Sequence, residues 1–149
     1  VNLLAIDPGT RCGWASSSGG RVESGVQEFQ LGRGDSPGMR FIRFNAWLVE
    51  LVDLTKPGLI VYERPHMRGG FATDLLIGLS TRIQELCAAR GIEHEAVHSA
   101  TLKKSATGIC RADKAAMVGA ARERFERSVK DDNEADALML LDYAMRRGS

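Results

Sequence analysis

The chain predicts an α/β fold: a five-stranded mixed sheet, its first three strands antiparallel, flanked by helices. Three observations carry this. Short apolar runs stop abruptly at turn or charged residues, a Gly-Gly pair divides an early β-like stretch, and two longer stretches repeat apolar residues at intervals of three and four.

Taken in order, Leu3-Leu4-Ala5-Ile6 reads as a buried strand stopped by Asp7-Pro8-Gly9. Gly13 to Ser17 and Val22 to Phe29 flank Gly19-Gly20 as a hairpin, which completes three antiparallel strands. Gly32 to Gly38 is a loop. From Met39 to Leu54, the residues Phe41, Phe44, Trp47, Leu48, Leu51 and Val52 mark one face of a helix, which Lys56-Pro57-Gly58 ends. Leu59-Ile60-Val61-Tyr62 is the most β-like run and delivers Glu63 at its end. Thr73 to Arg90 carries helical spacing closed by Gly91. Glu95 to His98 reads as a fifth strand, and Ser99 or Thr101 caps a short helix ending near Gly108. Ala112 to Phe125 and Asn133 to Met145 make two more helices. Neither a repeat nor a linker interrupts this order, so residues 1–149 read as one domain.

Hydrophobic residues make up 44% and charged residues 26%, which excludes a disordered or fibrous chain. A chain of this length buries roughly two-thirds of its unfolded surface and needs no disulfide or structural metal to fold. Cys12, Cys87 and Cys110 form neither a CxxC pair nor a zinc spacing with His66, His94 or His98. They read as reduced thiols packed as small hydrophobes, and the protein as cytoplasmic. No apolar window approaches the ~18 residues of a membrane span and no signal-peptide order opens the chain, so no membrane role is expected. Trp14 and Trp47 read as core, and His94 and His98 receive no chemical role.

The net charge of +1 hides an uneven distribution. Thr101 to Lys130 holds eight basic residues, among them Lys103, Lys104, Arg111 and Lys114, against three acidic ones. Asp131 to Asp142 then holds five acids and no base. A basic segment abutting an acidic cluster suits an enzyme that grips a polyanion while gathering cations; a solvated helical face is the simpler alternative.

Three carboxylates are placed to meet. Asp7 ends the first strand, Glu63 ends the fourth, and Asp136 lies near the start of the last helix. Neighbouring strands end side by side, and a helix packed across that edge presents a third acid to the same point. Such a cluster repels itself unless cations neutralise it, and all-oxygen ligands favour Mg²⁺ or Mn²⁺. Two ions about 4 Å apart activate a water on one side of a phosphodiester and stabilise the leaving oxygen on the other.

These residues fall within a recognisable pattern. Ala5-Ile6-Asp7-Pro8-Gly9-Thr10 with Gly13-Trp14-Ala15, then Val61-Tyr62-Glu63, Thr107-Gly108 with Ala112-Asp113-Lys114, and Glu134-Ala135-Asp136-Ala137-Leu138 resemble, in order, the motifs of RuvC-type Holliday junction resolvases. The resemblance spans nearly the whole chain. It implies an RNase H-like fold, a homodimer, and paired metal-dependent nicks across four-way DNA junctions that leave 5′-phosphates. With the brevity of the chain and Asn133, it suggests a phage or prophage version.

Residue by residue, the resemblance makes Asp7, Glu63 and Asp136 the metal-binding acids. The fourth ligand position, three residues before the last acid, holds Asn133, which can coordinate through its amide oxygen but lacks a charge. Asp132 either substitutes for it or caps the last helix. Lys114 matches a lysine near the active site and Lys103 or Lys104 another, each suited to hold the scissile phosphate. Arg111 joins them on the DNA-binding side. In the loop Arg64 to Phe71, Arg64 and Arg68 would bind phosphates, and His66 or Phe71 would wedge into a base step; Phe71 alternatively packs beneath its own helix. The stripe of the 73–90 helix is wide enough to face both its own sheet and a second subunit, and the resemblance implies a dimer built there.

Two other readings fit the same residues: a broader fork or flap nuclease of the same fold, and a catalytically weak junction-binding protein. An actin-like ATPase shares the opening Asp-Gly turn, but needs two such domains.

Overall fold

Alternation along two short strands sets the architecture. In β1 (Leu3–Asp7) and β4 (Leu59–Glu63), Leu4, Ile6, Ile60 and Tyr62 enter one apolar cluster, while Leu3, Ala5, Leu59 and Val61 enter another on the opposite face. Asp7 and Glu63 continue the second series, one step past the apolar run. The computed structural model describes residues 1–65, 69–129 and 131–147. Its remaining elements are β2 (Arg11–Ser18), β3 (Arg21–Glu28), α1 (Gly38–Thr55), α2 (Gly70–Arg90), β5 (Glu93–Val97), α3 (Ser99–Thr107), α4 (Lys114–Phe125) and α5 (Asp132–Arg147).

The strands form one mixed sheet in the order β3-β2-β1-β4-β5. β1, β2 and β3 pair antiparallel, as the sequence predicts, while β1–β4 and β4–β5 are parallel. The β2–β3 turn sits on Gly19 and Gly20, both at positive φ, which a two-residue hairpin of this twist requires. β1 and β4 run in register from Leu3 opposite Leu59 to Ile6 opposite Tyr62, so Asp7 and Glu63 emerge side by side.

α1 and α2 cover one face through Phe44, Leu48, Leu79 and Ile83. α5 covers the other and touches β1, β2, β3 and β4 as well as α3 and α4. It is enclosed on most sides: Ala137 to Asp142 are all buried. Buried Asp142 is paired there with Arg124 and, at 3.1 Å, with Arg146.

Several local expectations are corrected. Ser99 is the first residue of α3 and His98 holds the cap position without a side-chain bond. His94 lies inside β5, its ring centroid 6.2 Å from that of Tyr62. Cys12 and Cys87 are buried but Cys110 is exposed, in a turn between α3 and α4 whose residues 108–111 are all exposed. Trp14 and Trp47 are half-buried; Trp47 lies at 5.5 Å from Phe29 and 5.8 Å from Phe44. No described helix is long and apolar enough to cross a membrane.

Candidate active site

The carboxylates of Asp7, Glu63 and Asp136 converge, one oxygen from each lying within 4.8 Å of the other two. β1 supplies the first, β4 the second and α5 the third. Asp7 is buried at 8% exposure, and Glu63 and Asp136 are half-buried. Asp7, Glu63, Arg64 and Leu76 line a small cleft of about 90 Å³, with Pro8 and Pro65 in its wall.

The electrostatics show the strain of this arrangement. Burial raises the Asp7 carboxyl well above its usual range, and the charges of Glu63, Asp136 and Asp132 add to the shift. Burial, Glu63 and Asp132 push Asp136 up to about 7, against the opposing pull of Lys103 and Lys114. Three clustered acids whose burial and mutual repulsion outweigh the pull of Lys103 and Lys114 form a donor set that a hard divalent cation fits.

Lys114 opens α4 just after Asp113, whose side chain accepts from the Ala116 N–H at 2.8 Å and so caps that helix. Its Nζ lies 3.6 Å from Asp132 Oδ2. Lys103 is half-buried on α3 and acts on Asp136, whereas Lys104 on the same helix and Arg111 in the turn that follows are exposed. The turn between α3 and α4 is stapled: the Thr107 hydroxyl donates to the Lys103 carbonyl at 2.8 Å and accepts from the Ile109 N–H at 3.1 Å. Arg64 follows β4 and bonds His98 Nε2 at 3.1 Å.

Asp132 is not the cap of α5. Asp131 is: its Oδ1 accepts from the N–H groups of Asn133 at 2.7 Å and Glu134 at 3.3 Å. Asp132 is thereby free to face Lys114 and to act on both Asp7 and Asp136. Phe71 does not pack beneath its helix; it stands 68% exposed at the start of α2. His66 and Arg68 lie outside the described residues.

Gly13 stands in the Gly13-Trp14-Ala15 motif, and its role shows only in three dimensions. A Cβ there would lie 1.9 Å from the Asn133 carbonyl oxygen, so the first turn of α5 rests directly on the β2 backbone. An isolated glycine inside a strand signals such a close approach, and this was the available clue. The partnership of Arg11 with Asp131 had no local signal at all.

No family model matches the chain. It is 32% identical to the crossover junction endodeoxyribonuclease RuvC of Streptomyces griseus, an alignment covering 94% of this chain and 72% of that one. The protein of the same name from Streptomyces avermitilis is 31% identical over 94% of this chain and 84% of its own. In three dimensions the chain resembles Thermus thermophilus RuvC, solved in complex with Holliday junction substrate, at a TM-score of 0.81 and 16% identity, covering 99% of this chain and 96% of that one. That likeness establishes the RNase H-like fold.

Proposed function

The chain belongs to the RuvC family of crossover junction endodeoxyribonucleases, and we infer that it resolves four-way DNA junctions by paired symmetric nicks that leave 5′-phosphates. The observation that carries this is the convergence of Asp7, Glu63 and Asp136 at the ends of β1, β4 and the start of α5. Two divalent ions, Mg²⁺ or Mn²⁺ in its place, supply Lewis-acid activation of water and charge stabilisation at the leaving oxygen when bound.

The chain's own residues do the rest. Asp7, Glu63 and Asp136 hold the metals, and Asp132 restores the negative charge that Asn133 lacks while Asn133 offers an amide oxygen. Lys114 and Lys103 face the charge that builds on the phosphate. Lys104, Arg111 and Arg64 bind flanking phosphates, and Phe71, exposed at the start of α2, wedges at the junction centre.

A second copy completes the unit, since a four-way junction needs two matched cuts. Its seat is α2, where Ile77 is exposed and a cleft of about 330 Å³ opens beside Tyr62, Ser80, Thr81 and Gln84. The Ser80 hydroxyl is buried there with no partner among the described residues. The unpaired thiols agree with a cytoplasmic, reducing location.

The test is cleavage of end-labelled four-way junction, fork, flap and linear duplex by wild type and Asp7→Asn in Mg²⁺, Mn²⁺ or EDTA. Symmetric ligatable nicks on the junction, abolished by EDTA and by the substitution, are expected. Equal cutting of forks and flaps would make it a general branch nuclease; tight junction binding without cutting would make it a binding protein.

A further inference from the structure

Arg11 opens β2, just beyond the turn that follows Asp7. Its Nη2 donates to Asp131 Oδ2 at 2.5 Å, and its Nη1 pairs with Glu28, its cross-strand neighbour on β3. Asp131 therefore divides its carboxylate: one oxygen caps α5 and the other accepts Arg11. Two further features act on the same helical turn. Gly13 leaves space for the Asn133 carbonyl and no more, and the Ser24 hydroxyl donates to Glu134 Oε2 at 2.7 Å.

We propose that Arg11 is a positioning residue for the metal-holding carboxylates, acting through Asp131 to seat the first turn of α5 on β2. Asp136 follows that turn directly, so the seating fixes where the third carboxylate meets Asp7 and Glu63. Arg11 is half exposed, and as an ion pair alone its contribution to stability is small. Its value lies in tying the strand that leaves one metal-holding acid to the helix that carries another. The proposal rests on reading the acid cluster as a metal centre.

The experiment is a calorimetric Mn²⁺ titration of the full chain as wild type, Arg11→Ala, Arg11→Lys, Asp131→Asn and the double variant Arg11→Ala/Asp131→Asn, with melting curves beside it. Asn is as good a helix cap as Asp, so Asp131→Asn keeps the cap and removes the charge, and it carries the test with Arg11→Lys if Arg11→Ala fails to fold. Arg11→Ala and Asp131→Asn should each weaken Mn²⁺ about five-fold, below the ~10-fold seen on removing a direct partner of a ligand. The double variant should lose no more than either single one. Junction cleavage should fall in step at limiting Mn²⁺ and recover at saturation. Unchanged Mn²⁺ affinity, even with a lowered melting temperature, would overturn the proposal, and so would additive losses in the double variant. Should Mn²⁺ binding show the expected dependence while wild type cuts no branched DNA, the positioning role stands and the resolvase reading falls.

Discussion

On one face of the sheet α1 and α2 set Phe44, Leu48, Leu79 and Ile83 against Leu4, Ile6, Ile60 and Tyr62. The cluster on the other face, around α5, also buries large side chains such as Leu102, Met117, Leu138 and Leu140, but mixes them with Ala5, Ala15, Ala135, Ala137 and Ala144, a residue type absent from the first cluster, and Gly13 meets the start of α5 beside it. Large side chains each contribute about 1.5–3 kcal/mol on burial, so the first face supplies stability residue for residue. Small side chains contribute less and allow backbones to approach. The α5 face therefore sets a distance, and the distance it sets is that between Asp136 and the strand ends.

The comparison can be broken or sharpened by substitution. Asp136→Asn should lower junction cleavage roughly 10³-fold, because a metal-holding charge is gone, while raising the melting temperature of the metal-free protein. Cleavage rates and melting curves in EDTA read the two effects separately. Gly13→Ala forces α5 to shift, since its Cβ would lie 1.9 Å from the Asn133 oxygen. A displacement of this order should cost about 10²-fold in cleavage, together with weaker Mn²⁺ binding. Phe44→Ala on the opposite face should cost about 3–5 kcal/mol in denaturant unfolding yet leave the cleavage rate of the folded fraction unchanged. Equal damage to Mn²⁺ affinity by Phe44→Ala and Gly13→Ala would erase the distinction between the faces.

The pH dependence sharpens it further. Asp136 titrates at about 7 in the folded metal-free protein against 3.8 for an unperturbed carboxyl, so the native state binds the extra proton. Its contribution to stability falls as pH rises through that interval and levels off above it. Thermal melts in EDTA should therefore decline from about pH 4 to about pH 7, and saturating Mn²⁺ should flatten the slope. The smallest effect is reserved for Asn133→Asp, which should tighten Mn²⁺ roughly three-fold by adding a carboxylate beside the site, measured by the same calorimetry.

The strand ends were legible because a two-residue alternation needs only neighbours in sequence: Ala5 and Val61 on the α5 face put Asp7 and Glu63 there too. Asp136 was legible from the motif around it. The sequence leaves Asp132 open between the cap of α5 and the metal site, because Asp131, Asp132 and Asn133 all favour cap positions; the bonds of Asp131 to the Asn133 and Glu134 N–H groups take the cap away from it. Cys110 was misread as buried because the turn from Gly108 to Asp113 has no periodicity to report its orientation. Arg11 and Asp131 come from opposite ends of the sequence, and no local pattern joins them.

Among the described elements α5 comes after all the others, and it packs against four strands and two helices. On the ribosome, the hairpin of β2 and β3 and the α1–α2 face emerge and can associate while the opposite face of the sheet is still bare. Asp7 and Glu63 wait there as an incomplete pair. If the cluster of Asp7, Glu63 and Asp136 is the metal centre, a chain stalled before residue 132 would hold two of its three carboxylates and leave bare the apolar face that α5 covers.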